Sequence, residues 1–503
     1  MRKYASRDNI ILGATVLVAL SCLVSRAWIQ SLTIDEADTY LVFVARTTPS
    51  HWVPAANNHV LNSLLMRLFT TVFGPSAFTM RLPALLGGLL YITSVLAVVR
   101  HISGGLLLRW SLTVCLIFSP FVMDYLVAAR GYGLAVGFLM GAVAIGVEHM
   151  TRAPAASVEH ESLAFAFVSG LLALSFCANF SFAIADGSIG LAFFLWTWSS
   201  RGRAPIRQLI ALTLPGAAVA ILIVGPVVAS WPTGELNWGA KSIAETCRSV
   251  MRASLFEPNP YFLNSWVHFC FEHVRRFLFP LLGVAVTWRL AIVIRGLGAV
   301  RSNTGYCSIG LASVSAGAAV ATILVHVLLH RIWGVLLPLD RTALYLFPLF
   351  FLFAGSVASV GVSSRMGAAS ARAMTGMLLA FACYFLGCLR LTYFQEWEFD
   401  ADVKNVYQKL VQYNRAVGLK RVAANWRYQT TLNCYRSFLP HGTLEDAAAG
   451  TAAGTYPKGF EWYVIYLPTD EAFVDSEKLT IVYHDSVTHV AIAIGSGLGS
   501  IPQ

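Results

Sequence analysis

Apolar and polar positions divide the chain into two textures. From residue 9 to residue 392, windows of about 20 apolar residues recur between short polar turns. That is the pattern of helices covering roughly 30 Å of hydrocarbon. Eleven windows stand at 9–30, 80–99, 105–123, 132–149, 162–182, 184–199, 208–230, 277–296, 308–329, 343–361 and 373–392. They predict an α-helical polytopic membrane domain over residues 1–392, broken by two long polar loops at 31–78 and 231–276. Within the first loop, VLNSLLMRLFTTVF (60–73) repeats Leu61, Leu64, Leu65, Leu68 and Phe69 at helical spacing but is too short to cross. An interfacial helix fits that pattern; an extramembrane helix packed on protein is the other reading. Beyond residue 392 the period changes. DADVKNVYQKLVQYNRAVG reads as an amphipathic helix, and RVAANW, FEWYVIYLP, LTIVYHD and THVAIAIG read as short β-strands. Residues 393–503 are therefore expected to form a small soluble α/β domain.

Composition adds a compartment and a class of partner. Of 503 residues, 56% are hydrophobic and 12% charged, where a soluble domain carries roughly 25% charged residues. Residues 1–392 hold 27 of the 36 Lys and Arg against 14 acids, whereas the last 111 residues hold 9 against 12. The basic excess belongs to the membrane part and suits anionic lipid surfaces or phosphorylated substrates. No groove-reading motif accompanies it, so nucleic acid is not an expected partner. Arg2, Lys3 and Arg7 precede the first span and no small-residue cleavage site follows it, which marks a retained span with a cytoplasmic amino terminus. The short turns on that side carry Arg100 and Arg109, then Arg201, Arg203 and Arg207, then Arg295 and Arg301, then Arg365 and Arg372. An odd number of spans places the tail outside, with the 31–78 loop. The nine cysteines show no CxxC and no metal-ligand spacing; Cys247 and Cys270 share one outer loop, where an oxidising compartment would allow a pair.

Ionisable residues beside hydrocarbon are costly without a purpose, and the 31–78 loop concentrates them. SLTIDEADTY brings Asp35, Glu36 and Asp38 together, and Asn57, Asn58 and His59 follow. A carboxylate pair just above the bilayer suits general-base chemistry, one acid acting and its neighbour orienting; the plain alternative is a solvated acidic loop. Asn58 and His59 suit a phosphate, a sugar hydroxyl or a metal. Arg130, in DYLVAARGYGLA, and Arg341, in LLPLDRTALY, open two spans on the outer side. A planar guanidinium there can clamp a lipid phosphate, or simply reach for the interface. No GxxxxGK[ST] loop is present and no strand precedes ARGYG, so a lipid available in the membrane is the expected donor rather than a nucleotide.

These residues resemble a known family. The first span, the Asp-Glu loop, the amphipathic helix, RLPALLGGLLYI (81–92) and ARGYGLAVGF (129–138, with Arg130 and Tyr132) are similar to the C-type membrane glycosyltransferases, most of all to bacterial members akin to protein O-mannosyltransferases and lipid A aminoarabinose transferases. The resemblance implies a polyprenyl-phosphate-sugar donor and a lipid, glycan or protein acceptor. It implies that Asp35, with Glu36, deprotonates the acceptor hydroxyl, that the anomeric carbon inverts, and that Arg130 and Arg341 stabilise the leaving phosphate, with Asn58, His59 and Tyr132 lining the donor site. It places the protein in a bacterial inner membrane. The chain departs from the family at Asn58-His59-Val60, where many relatives carry His-Pro-Pro. A divalent metal on Asp35, Glu36 and His59 is left open, as some members of the wider superfamily use one. Two further function classes stay in play: a transporter or flippase of lipid-linked sugars, and a non-catalytic envelope-assembly protein.

Overall fold

The computed structural model describes residues 2–45, 53–151, 158–201, 205–232, 234–235, 238–259, 264–296, 303–452 and 454–495. Arg203 and Arg301, two of the basic inner-turn residues, lie outside them. Helix α1 (Arg2–Ile29) leads into two loop helices, α2 (Ile34–Asp38) and α3 (Val60–Phe73). A π-helical turn, Thr39–Ala45, continues α2. The bundle resumes with α4 (Ala77–Arg100), α5 (Leu106–Phe118), α6 (Pro120–Tyr125), α7 (Tyr132–Thr151), α8 (Val158–Ala178), α9 (Ala183–Arg201) and α10 (Pro205–Val228). Helix α11 (Ile243–Ser254) lies in the second long loop, and α12 (Ser265–Gly296), α13 (Asn303–Trp333), α14 (Leu346–Ser359) and α15 (Arg365–Gly387) complete the bundle.

All eleven predicted windows are helical. Among the described residues nine helices are long and apolar enough to cross a membrane: α1, α4, α7, α8, α9, α10, α12, α13 and α15. The windows at 105–123 and 343–361 are occupied by shorter helices. Ser119-Pro120 divides the first into α5 and α6, because proline has no N–H to continue the ladder. The second, α14, is ended from the side by Arg289 of α12. Its guanidinium is buried and donates to the carbonyls of Val357, Ala358, Val360 and Gly367 and to the Ser370 hydroxyl. A cation on the orphan carbonyls of a helix C-terminus satisfies them where water is scarce. Helices α4 and α7 approach until their backbones touch: a Cβ at Gly87 would collide with the Gly133 carbonyl, and one at Gly137 with that of Gly87. Small residues at such a crossing are what close helix packing in lipid requires, and it explains why LLGG and GYGLAVG occur together.

Helix α3 has the bounds its periodicity predicts, with an inverted amphipathy. Asn62, Ser63, Met66 and Thr70 face inward and are buried, while Leu68, Val72 and Phe73 are exposed. An outward apolar face and an inward polar one suit a helix lying against lipid above the site.

Beyond α15 come α16 (Val403–Val417), β1 (Val422–Ala424), α17 (Trp426–Phe438), β2 (Ala448–Ala449), β3 (Trp462–Tyr466), α18 (Leu467–Ser476), β4 (Thr480–His484) and β5 (Val490–Ile494). The order across the sheet is β2-β1-β3-β5-β4, with β1 parallel to β2 and β3, and β5 antiparallel to β3 and β4. Successive side chains of a strand face opposite ways. Trp462, Val464 and Ile492 accordingly pack toward α16 and α17, and Tyr463, Ile465 and Ala493 toward the other side with Phe473 of α18. The first layer includes Leu32, Ala37 and Tyr40 of the first long loop. The tail and that loop share one core.

Candidate active site

Helix α2 is short, and its start is fixed from three directions. Thr33 and Glu36 form a capping box: the Thr33 hydroxyl accepts the Glu36 N–H, and Glu36 Oε2 accepts the Thr33 N–H at 2.9 Å. The tail then straps it down. Ile34 N–H donates to Asp400 Oδ2 at 2.7 Å, Leu32 N–H to the Tyr435 hydroxyl at 2.7 Å, and Ser31 Oγ to the Ala401 carbonyl at 2.6 Å. Asp400 is fully buried, and burial, with Asp35 and Glu36 nearby, pushes its carboxyl well above the ordinary range.

Adjacent positions on this helix face different partners. Glu36 points inward and has no exposed surface. Arg81, from α4, grips it with two bonds, Nε to Oε1 at 2.8 Å and Nη2 to Oε2 at 2.7 Å, while Oε1 also accepts the Ala129 N–H at 2.8 Å. The rest of Arg81 donates to the carbonyls of Ala27, Gln30 and Ser31. Glu36 is thus a fully satisfied joint between α2, α4 and the segment before α7. Its carboxylate faces the core, with both oxygens occupied.

Asp35 faces the opening. Its Oδ2 accepts from Arg341 Nη1 at 2.6 Å and lies 3.7 Å from Arg130 Nε. Burial alone would raise its carboxyl; the charges of Arg130 and Arg341 outweigh it and hold Asp35 below the usual range. Arg130 is itself buried and anchored, Nη1 donating to Thr39 Oγ1 at 2.8 Å and to the Asp35 carbonyl at 3.3 Å. It leaves a tight turn through Gly131 (φ +76°), where a side chain would collide with the Ala178 carbonyl and with His59. Arg341 follows Asp340 (φ +45°), a conformation that aspartate tolerates better than most residues. Asp340 N–H is tied to Ser249 Oγ of α11 at 2.9 Å.

His59 is buried beneath, its ring edge-on to Tyr132 at 5.3 Å. Burial first, then the two arginines, hold the imidazole well below its ordinary range, so it is neutral. Neither ring nitrogen has a hydrogen-bond partner among the described residues. Asn58 is buried as well, donating to the Val53 carbonyl at 3.3 Å and accepting from Ser63 Oγ at 3.0 Å, so it shapes the turn before α3. The structure gathers Asp35, Arg130 and Arg341 at one opening, with His59 and Tyr132 behind. It sets Glu36 and Asn58 in the frame. Among the described residues no three His, Cys, Asp or Glu side chains gather as a metal-ligand set. Cys247 and Cys270 are both free.

Two features of the site have no counterpart in the sequence motifs. Glu396, from the segment after α15, accepts from Arg341 Nη1 at 2.9 Å and from the Tyr125 hydroxyl, and Trp397 lies under the Arg341 guanidinium at 5.7 Å. Beside the Arg341 turn opens an apolar cleft of about 530 Å³ between α11, α13 and α14. Leu337, Pro338 and Tyr345, which bracket that turn, line it together with Val250, Ile323 and Phe350. The cleft thus lies next to the turn that carries Arg341.

No family model matches the chain, and no curated protein matches it. Among solved structures it is similar to the crystal structure of ArnT from Cupriavidus metallidurans bound to undecaprenyl phosphate, with a TM-score of 0.46 and 13% identity over 98% of this chain and 99% of that one. A second likeness is to the archaeal oligosaccharyltransferase AglB from Archaeoglobus fulgidus in complex with an inhibitory peptide and a dolichol-phosphate, with a TM-score of 0.40 and 10% identity over 85% of this chain and 64% of that one.

Proposed function

We propose that the protein is a glycosyltransferase that moves a sugar from a polyprenyl-phosphate-linked donor to an acceptor hydroxyl at the outer face of a bacterial inner membrane, inverting the anomeric carbon. One observation carries this reading: a solvent-reachable carboxylate stands between two arginines, and an apolar cleft opens beside the turn that carries one of them. The cleft suits a polyprenyl tail, and the arginines a phosphate.

Asp35 is ionised at neutral pH, so it is free to take a proton, although two guanidiniums make it a weak base. A donor phosphate competes for those same guanidiniums. As they turn to it, Asp35 loses part of its stabilisation and grows more basic. Asp35 then takes the hydroxyl proton while the acceptor oxygen bonds to the anomeric carbon. The bond from that carbon to the phosphate oxygen breaks on the opposite side, and Arg130 and Arg341 hold the departing charge. Glu36 keeps α2 in register for this step without entering it.

The test is transfer of label from a radiolabelled bacterial lipid extract by purified wild type and Asp35→Asn. Wild type is expected to move label to an acceptor, and Asp35→Asn to lose at least a hundredfold in rate, the lower range for a positioned base, while still binding lipid phosphate. Equal loss of binding would remove the base role from Asp35.

A further inference from the structure

One nitrogen of Arg341 serves two acids. Nη1 donates to Asp35 Oδ2 at 2.6 Å and to Glu396 Oε1 at 2.9 Å, and the other oxygen of Glu396 is anchored by the Tyr125 hydroxyl. Among the described residues nothing accepts from Nη2 or Nε of Arg341, so these are the nitrogens left to meet an anion. A guanidinium that met Asp35 alone would close on it as a two-bond fork, the geometry that arginine and carboxylate favour. Glu396 and its Tyr125 anchor prevent this.

We propose that Glu396 is a positioning residue that sets the base strength of Asp35: by holding Arg341 through Nη1, it limits the grip of that arginine on Asp35 and turns the free edge toward the donor phosphate. This deepens the transferase reading and rests on it. Asp35 is faced by the cations Arg130 and Arg341 and by the acids Asp38, Glu396 and Asp400. Glu36 is neutralised by Arg81 and His59 is uncharged; Asp340 adds its charge next to Arg341, with Arg252 facing it. Among the described residues only Glu396 combines a carboxyl near Asp35 with a bond to the same guanidinium nitrogen; burial raises that carboxyl, and Arg341 works against the rise.

The signs follow. Glu396→Gln removes a competitor for Arg341, so Asp35 is held more tightly in its charged form and becomes a poorer base. An anion at Arg341 meets one negative charge fewer and binds better. A residue that merely braced the site would give weaker anion binding and no movement of the pH profile.

The experiment uses the full chain in nanodiscs, with undecaprenyl phosphate as the binding probe and the labelled lipid extract as donor, across pH. For Glu396→Gln, undecaprenyl phosphate affinity is expected to rise roughly threefold, the scale of one partly screened charge. The acid limb of the transfer profile is expected to move to lower pH, with a plateau several-fold below wild type, and Glu396→Asp to restore both in part. Tyr125→Phe frees Glu396 to turn fully onto Arg341, and is expected to move the acid limb to higher pH. Unchanged or weaker binding by Glu396→Gln, an unmoved limb, or the same direction of shift in both variants overturns the proposal. If wild type transfers no label, the transferase reading falls, and the binding arm alone decides the role of Glu396.

Discussion

Consecutive residues of a helix point about 100° apart, and on α2 that angle separates chemistry from framework. Asp35 faces two arginines and solvent; Glu36 faces Arg81 and the core. Their substitutions should therefore part company. Asp35→Asn gives up the stabilisation its charge draws from the two arginines and is expected to lower the melting temperature in detergent modestly, whereas Glu36→Gln leaves the Arg81 charge buried without its partner and is expected to cost more, about 3 kcal/mol or more. On the proposed reading Arg341→Ala removes a charge-assisted contact to a lipid phosphate, and it is expected to weaken undecaprenyl phosphate binding by about 1.5–3 kcal/mol, roughly ten- to a hundredfold. Acid dependence follows from the same ion pairs. Asp35 lies below its unfolded value of about 3.9, so its stabilising contribution is complete above that pH and fades as the pH falls through the folded value. Charge beside hydrocarbon made Asp35, Arg130 and Arg341 legible in the sequence. Nothing local distinguishes Glu36 from Asp35, because the partner that decides its orientation lies 45 residues away. Glu396 was hidden for the same reason: its contacts are with Arg341, 55 residues back, and Tyr125, 271 residues back.

At the scale of elements, hydrocarbon thickness makes helices readable, because lipid demands an unbroken apolar run of fixed length. What it does not reveal is how a helix ends within the bundle, and α14 depends on Arg289 for that. The strands β1, β3, β4 and β5 were readable from their β-branched and aromatic residues. Helix α17 was not, since its sequence, WRYQTTLNCYRSF, lacks a clean apolar stripe and is fixed by packing against α2 and α16. The strap between α2 and the tail yields its own prediction. Burial raises the Asp400 carboxyl well above its unfolded range, so its ionisation opposes folding, and stability is lost as the pH rises from the unfolded value toward the folded one. Asp400→Asn keeps an oxygen for the Ile34 N–H without the charge. It is expected to match or exceed wild-type thermal stability at pH 8, with the advantage shrinking toward pH 4; a clear loss at pH 8 would show that the charge itself is needed.

For the molecule as a whole, the tail is part of the site. It supplies Glu396 and Trp397 to the opening and Asp400 and Tyr435 to the base of α2, and its core takes in Leu32, Ala37 and Tyr40. A chain stopped after Thr392 keeps every predicted span. It is expected to insert in the membrane yet lose transfer, with faster proteolysis within residues 31–78; transfer at the wild-type rate would show that the tail is dispensable.

The straps between Ser31 and Ala401, Leu32 and Tyr435, and Ile34 and Asp400 join residues 366 to 403 positions apart. A ribosome releases the Asp35 segment hundreds of residues before its partners. Throughout that interval the segment lacks the contacts that shape it, and one late event sets α2 in its final place. A messenger cut short before Asp400 therefore yields a chain whose Asp35 segment is never strapped into place.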